Sequence, residues 1–266
     1  MKNQLRLLLF FPALALTLTF SGCSKDKNGE RLLFSVEDDI AMGQQTAHQV
    51  DSIYAAQILS PSQYPEAYAY LESAKQEILQ SGKIAYKDEF AWKLTIIDDN
   101  TLNAFCTPGG HIYFYTGLIK YLDSGDHLIG VLGHEMAHAD KRHTSQSLQR
   151  EYGLSVLLSI VTGGNPGMLT QIAASLVSLD YSREHETEAD AWSVEYLAQT
   201  NYACNGAAGF FQKLIDQGSG SSGPAFLSTH PNPDNRVQKI NQKADDLNCD
   251  KTPTNDNFQA MKNTLP

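Results

Sequence analysis

Five residues restrict this chain more than any others: His134-Glu135-Met136-Ala137-His138, preceded by the apolar run Leu128 to Leu132. An apolar helix carrying two histidines and a carboxylate on adjoining turns is a buried helix with polar cargo. At about 100° per residue, positions i and i+4 lie about 40° apart, so both imidazoles can reach one cation. Without a metal, two buried histidines and a buried glutamate carry a desolvation cost that core packing does not repay. Zinc accepts histidine nitrogen in a tetrahedral set. Glu135 falls about 60° to the side of His138, beside the metal rather than on it. There it can take a proton from water. The pattern predicts a helix from Asp126 to about His143, with His143 about 180° round from His134 and unable to join the metal.

A catalytic zinc needs a third protein ligand and an open position. The best source is Ser182-Arg183-Glu184-His185-Glu186-Thr187-Glu188-Ala189-Asp190. Glu186 and Asp190 share a face, and Glu184 and Glu188 point to the other side. Glu186 can ligate while Asp190 holds the far N–H of a ligand histidine. His185 lies about 100° from Glu186 and is expected to be exposed. Taken by itself, such a charge run is a solvated acidic helix face.

Residues 134–138 together with 183–190 resemble the HtpX/BepA/LoiP-like zinc metallopeptidases, relatives of the CAAX prenyl protease. Two further blocks are similar to that family in the right order. One is Asn103-Ala104-Phe105 with Pro108-Gly109-Gly110 and Tyr115-Thr116-Gly117-Leu118; the other is His230-Pro231 with Arg236. The resemblance covers about residues 36–245. It implies one Zn²⁺ per chain held by His134, His138 and Glu186, with Glu135 as general base and Asp190 supporting a ligand. It also places His230 at the active site, either stabilising the oxyanion or capping the zinc. The expected fold is α+β: a mostly helical zincin-type domain with a small sheet beside the active-site helix. Strand residues Asn103, Ala104 and Phe105 are expected to engage an extended substrate at the sheet edge, through backbone hydrogen bonds.

The N-terminus reads as an address. Lys2 and Arg6 precede an apolar run from Leu7 to Phe20, and Ser21-Gly22-Cys23 follows. That layout is a signal peptide of lipoprotein type over 1–22, with lipidated Cys23 opening a tether over 23–35. The peptidase domain is expected over 36–250, and residues 251–266 as a disordered tail. Three cysteines remain after lipidation, so at most one internal pair forms. Cys204 and Cys249 sit in polar loop sequence and form the candidate disulfide; Cys106 sits in an apolar stretch and reads as a buried thiol.

The formal net charge is −10, which argues against nucleic acid as a partner because phosphate binding needs clustered Lys and Arg. Membrane attachment falls to the lipid anchor instead. The expected protein is a metalloendopeptidase acting on unfolded or misassembled envelope proteins, anchored to the outer membrane on the periplasmic side. Two competitors use the same residues: a client-binding lipoprotein with a sealed zinc site, and a different zinc hydrolase such as a peptidoglycan amidase. Glu135 favours an enzyme over the binding module.

Overall fold

The computed structural model describes Lys27 and residues 33–217, 225–231 and 235–266. The signal segment 1–22, Cys23 and the Gly/Ser loop 218–223 lie outside the described residues.

Ser35 opens the first helix, α1 (Val36–Ile53), with a reciprocal capping box: its side chain accepts from Asp38 N–H while Asp38 accepts from Ser35 N–H. The helix ends at Ile53. Pro65 starts α2 (Pro65–Gln80), where a missing N–H costs nothing. Three short strands follow: β1 (Lys93–Ile97), β2 (Ala104–Cys106) and β3 (His111–Tyr115). Their order is β1-β3-β2, with β1 parallel and β2 antiparallel to β3, so β2 is an outer strand.

The short α3 (Thr116–Tyr121) leads into α4 (Gly125–Asp140), which carries the His-Glu-x-x-His segment and is buried along nearly its whole length. Then come α5 (His143–Tyr152), α6 (Leu154–Val161), α7 (Pro166–Ser175), α8 (Arg183–Leu197) and α9 (Gly206–Asp216). The last are α10 (Ala225–Thr229), α11 (Arg236–Leu247) and α12 (Phe258–Lys262). The α+β expectation, helices around a small sheet beside the active helix, describes this architecture.

Two apolar cores flank the sheet. The larger joins α2, α4, α8, α9 and α11 to one face of the sheet; the smaller packs α6 and α7 against α1 and the other face. Close approach of α4 to α9 needs Gly130, since a Cβ there would stand 2.1 Å from Ala207 N. No described helix is long and apolar enough to cross a membrane.

Residues 251–266 correct the expectation of a disordered tail. Phe258 and Met261 on α12 are buried against the larger core, and the Tyr70 hydroxyl hydrogen-bonds Asp256. The Phe258 ring packs against Tyr70 of α2, centroids 6.0 Å apart.

The structure joins Cys204, just before α9, to Cys249, just after α11, with Cα atoms 6.3 Å apart. Cys106 is free and buried. The bridge closes a separation of 45 residues. By loop entropy, Cys204→Ser is expected to lower unfolding stability by about 4 kcal/mol. The urea midpoint measured with and without the substitution checks this; an unchanged midpoint would show that the bridge does not form.

Candidate metal centre

Helix α4 supplies His134, Glu135 and His138, and α8 packs across it to supply Glu186 and Asp190. The two helices meet at small residues: Ser193 Oγ donates to the carbonyl of Gly130, and a Cβ on Gly133 would stand 2.9 Å from that hydroxyl. This contact brings residues 134–138 and 186–190 face to face.

Four potential ligand atoms, one each from His134, His138, Glu186 and His230, lie within 4.8 Å of one another, and all four side chains are fully buried. His138 Nε2 is 3.0 Å from His134 Nε2 and 3.1 Å from Glu186 Oε1. His230 arrives from the end of α10, its Nδ1 3.0 Å from Glu186 Oε1 and 3.3 Å from His134 Nε2. Its ring stacks on Phe226, centroids 4.1 Å apart. Asp190 stands where its spacing put it, with Oδ1 3.0 Å from His134 Nδ1. Arg236, the first residue of α11, clamps Asp190 with two hydrogen bonds of 2.7 Å and lies 2.9 Å from Glu186 Oε2. Its guanidinium carbon sits 3.5 Å from the centroid of the Phe211 ring.

The donor set fits a divalent cation. Among the described residues, Glu135, Glu186 and Asp190 are buried carboxylates at the centre, and Arg236 is the one buried guanidinium beside them. Acidic groups therefore outnumber the guanidinium in a dry pocket, an imbalance that a dication offsets. The titration behaviour has the same cause. Burial alone would strip the proton from His134, but Glu186 and Asp190 prevail and hold it up to about 9. Burial also works against the Glu186 carboxylate, yet His230, Arg236 and His134 outweigh it and keep it well below the usual range. The His138 ring, fully buried, is held well below its usual value by desolvation. The pocket attracts positive charge at the point where three ligand atoms converge.

Glu135 differs from the others. Both of its carboxylate oxygens are buried and neither has a hydrogen-bond partner. His230 Nε2 lies 3.5 Å from Oε1. Burial raises its pKa, with His230 and His134 offsetting only part of the rise. A raised carboxylate with free lone pairs beside a cation site is what a general base requires.

Two histidines lie elsewhere than their spacing predicts. Helix α4 stops at Asp140, and Arg142 takes a left-handed conformation, φ 61°. That turn folds the chain back, so His143 is buried with Nδ1 3.1 Å from His138 Nδ1 instead of facing away. His185 is half-buried and stacks on His143, centroids 4.4 Å apart. Glu188 also departs from the expected outward direction: Oε2 reaches to 3.4 Å from His143 Nε2. Tyr181 stacks on the other face of His138 at 3.8 Å. Nothing in Lys141-Arg142 marks a left-handed turn, so these contacts have no sequence signal.

Ala104 and Phe105 are on the outer strand β2, with Asn103 just before it, and all three are buried. Asn103 Nδ2 donates to the carbonyl of Val177, Thr229 Oγ1 lies 3.5 Å from Asn103 Oδ1, and Phe226 N–H donates to the carbonyl of Leu102. In this arrangement α10 and residues 176–178 cover the edge on which a peptide would dock.

Residues 65–244 match the model of peptidase family M48. The chain is 30% identical over 213 residues to a mitochondrial metalloendopeptidase of Schizosaccharomyces pombe, covering 78% of this chain and 61% of the relative. It is 28% identical over 172 residues to the mitochondrial metalloendopeptidase of Arabidopsis thaliana, covering 64% of this chain and 35% of that protein. Against the β-barrel assembly-enhancing protease of Escherichia coli it is 25% identical over 181 residues, 63% of this chain and 37% of that one. The chain thus spans 61% of the first relative and little more than a third of the other two. A family match over most of the chain, on a fold that gathers two histidines, a glutamate and an unpaired buried carboxylate at one point, makes this protein a member of peptidase family M48, with zinc as its cofactor.

Proposed function

We propose that this protein is a lipid-anchored endopeptidase that hydrolyses unfolded or misassembled proteins of the cell envelope. The observation that carries the reading is Glu135: a buried carboxylate with both oxygens free, next to a cluster fitted for zinc. A sealed structural site has no use for such a group, so the client-binding alternative leaves it unexplained.

His134, His138 and Glu186 would hold the metal. Zinc, when bound, acts as a Lewis acid that brings the pKa of water down to about 7. Glu135 takes a proton from the attacking water and later delivers it to the leaving amine. Asp190, fixed by Arg236, orients His134. His230 covers the cluster and stands where a substrate carbonyl has to enter, so turnover requires its ring to swing aside together with α10. The same movement uncovers β2, whose backbone can then pair with an extended peptide. Displaced but nearby, the His230 ring is a donor for the oxyanion.

The name of the bacterial relatives, β-barrel assembly-enhancing protease, supports envelope proteins as substrates. The lipobox-like Phe20-Ser21-Gly22-Cys23 supports an anchor at the outer membrane. Unfolded casein is expected to be cleaved by the full chain, to be spared after chelation, and to be cleaved again when zinc is returned. Cleavage that persists through exhaustive chelation would refute the activity. For the anchor, Cys23→Ser is expected to move the protein from the membrane fraction to the soluble fraction. Retention in the membrane would remove the lipid from the account.

A further inference from the structure

The ligand His134 has a direct carboxylate partner in Asp190, 3.0 Å from its Nδ1. The ligand His138 has no carboxylate there. Its Nδ1 faces Nδ1 of His143 at 3.1 Å, and the far nitrogen of His143 faces Glu188 Oε2 at 3.4 Å. Hydrogen bonding fixes the protons along this chain. His138 Nε2 points at His134 Nε2 and Glu186, the place a metal would fill, so that nitrogen has to offer a lone pair. The proton of His138 is therefore on Nδ1. His143 Nδ1 then accepts it, which puts the His143 proton on Nε2, directed at Glu188. Only one set of tautomers satisfies all three groups.

The surroundings hold this arrangement still. His143 is 1% exposed and is stacked on His185, whose Nε2 lies 3.1 Å from Gln146 Oε1. Tyr181 stacks on His138 from the other side. The left-handed Arg142 that returns His143 to this place is itself tied down, its guanidinium bonded to Asp39 and to the carbonyls of Phe34 and Ser35. A non-glycine residue rarely takes that conformation, and here the turn delivers His143 to His138.

We propose that His143 is a positioning residue for the metal: it accepts the Nδ1 proton of His138 and links it to Glu188, giving the second ligand histidine a relayed carboxylate. The proposal rests on the zinc reading of the site. Its role is to orient the ring and fix the tautomer, with no contact to metal or substrate. Loss of such an outer hydrogen bond typically weakens metal binding about 10–100-fold.

The test measures zinc affinity of the full chain by competition with a chromophoric chelator, using two variants that separate hydrogen bonding from packing. His143→Phe keeps a stacked ring and removes the acceptor; it is expected to weaken zinc about 10–100-fold. His143→Asn loses the ring and the link to Glu188 but places an amide oxygen where Nδ1 stood; it is expected to weaken zinc clearly less than His143→Phe does. Glu188→Gln, which keeps an acceptor but not the charge, is expected to lie closest to the parent. The reverse ranking, Phe tolerated and Asn not, would show that His143 only packs. Equal affinity in all variants would overturn the proposal and leave the zinc site intact. A parent chain that takes up no zinc would instead overturn the zinc reading. Should either variant fail to fold, nitrogen-15 spectra of the histidines in the zinc-loaded parent decide. His143 protonated on Nε2 and His138 on Nδ1 are expected; His143 protonated on Nδ1 would refute the relay.

Discussion

Glu135→Gln is expected to lower casein cleavage about 10²–10⁴-fold, the usual share of a general base, while zinc content stays at one per chain. Glutamine keeps the size and shape of the side chain but cannot take a proton. The carboxylate makes no hydrogen bond in this structure, so the substitution strands no partner. The effect should therefore sit in kcat, with folding and metal uptake untouched. Cleavage rates and metal analysis on the same preparation check this. Full activity in the variant would remove Glu135 from the mechanism, and loss of zinc along with activity would mean that it holds the metal.

Glu186→Ala is expected to act at an earlier stage. Glu186 Oε1 approaches His138 and His230, and Oε2 approaches Arg236. Removing it takes away one ligand and part of the negative charge that favours a dication. Zinc affinity should fall by more than the roughly 100-fold that bounds the loss of an outer partner, and cleavage should vanish with it. The buried Arg236 keeps Asp190, so the fold is expected to survive. Chelator competition and a thermal melt of the same sample separate the two effects. A variant that binds zinc as tightly as the parent would eliminate Glu186 as a ligand.

Much of the centre was legible because helix periodicity is local. The i, i+4 spacing of His134 and His138, and of Glu186 and Asp190, puts each pair on one face whatever the rest of the chain does. What escaped was tertiary. His143 lies nine residues after His134, and an unbroken helix would turn it away; a single left-handed residue reverses that. Arg142 adopts that conformation because its guanidinium is held by Asp39, more than a hundred residues earlier in the chain. The docking of α12 likewise depends on a groove made by α2, which no window around Phe258 contains. The cover over β2 comes from α10, distant in sequence and recognisable in advance only through His230.

Helix α8 carries three carboxylates of the centre: Glu186 beside His138, Asp190 beside His134, and Glu188 at the end of the chain of rings behind His138. All three therefore move as one body relative to α4. A tilt of α8 would displace Glu186, Glu188 and Asp190 together. One helix thus sets the positions of the acidic half of the centre, and α4 those of the histidines.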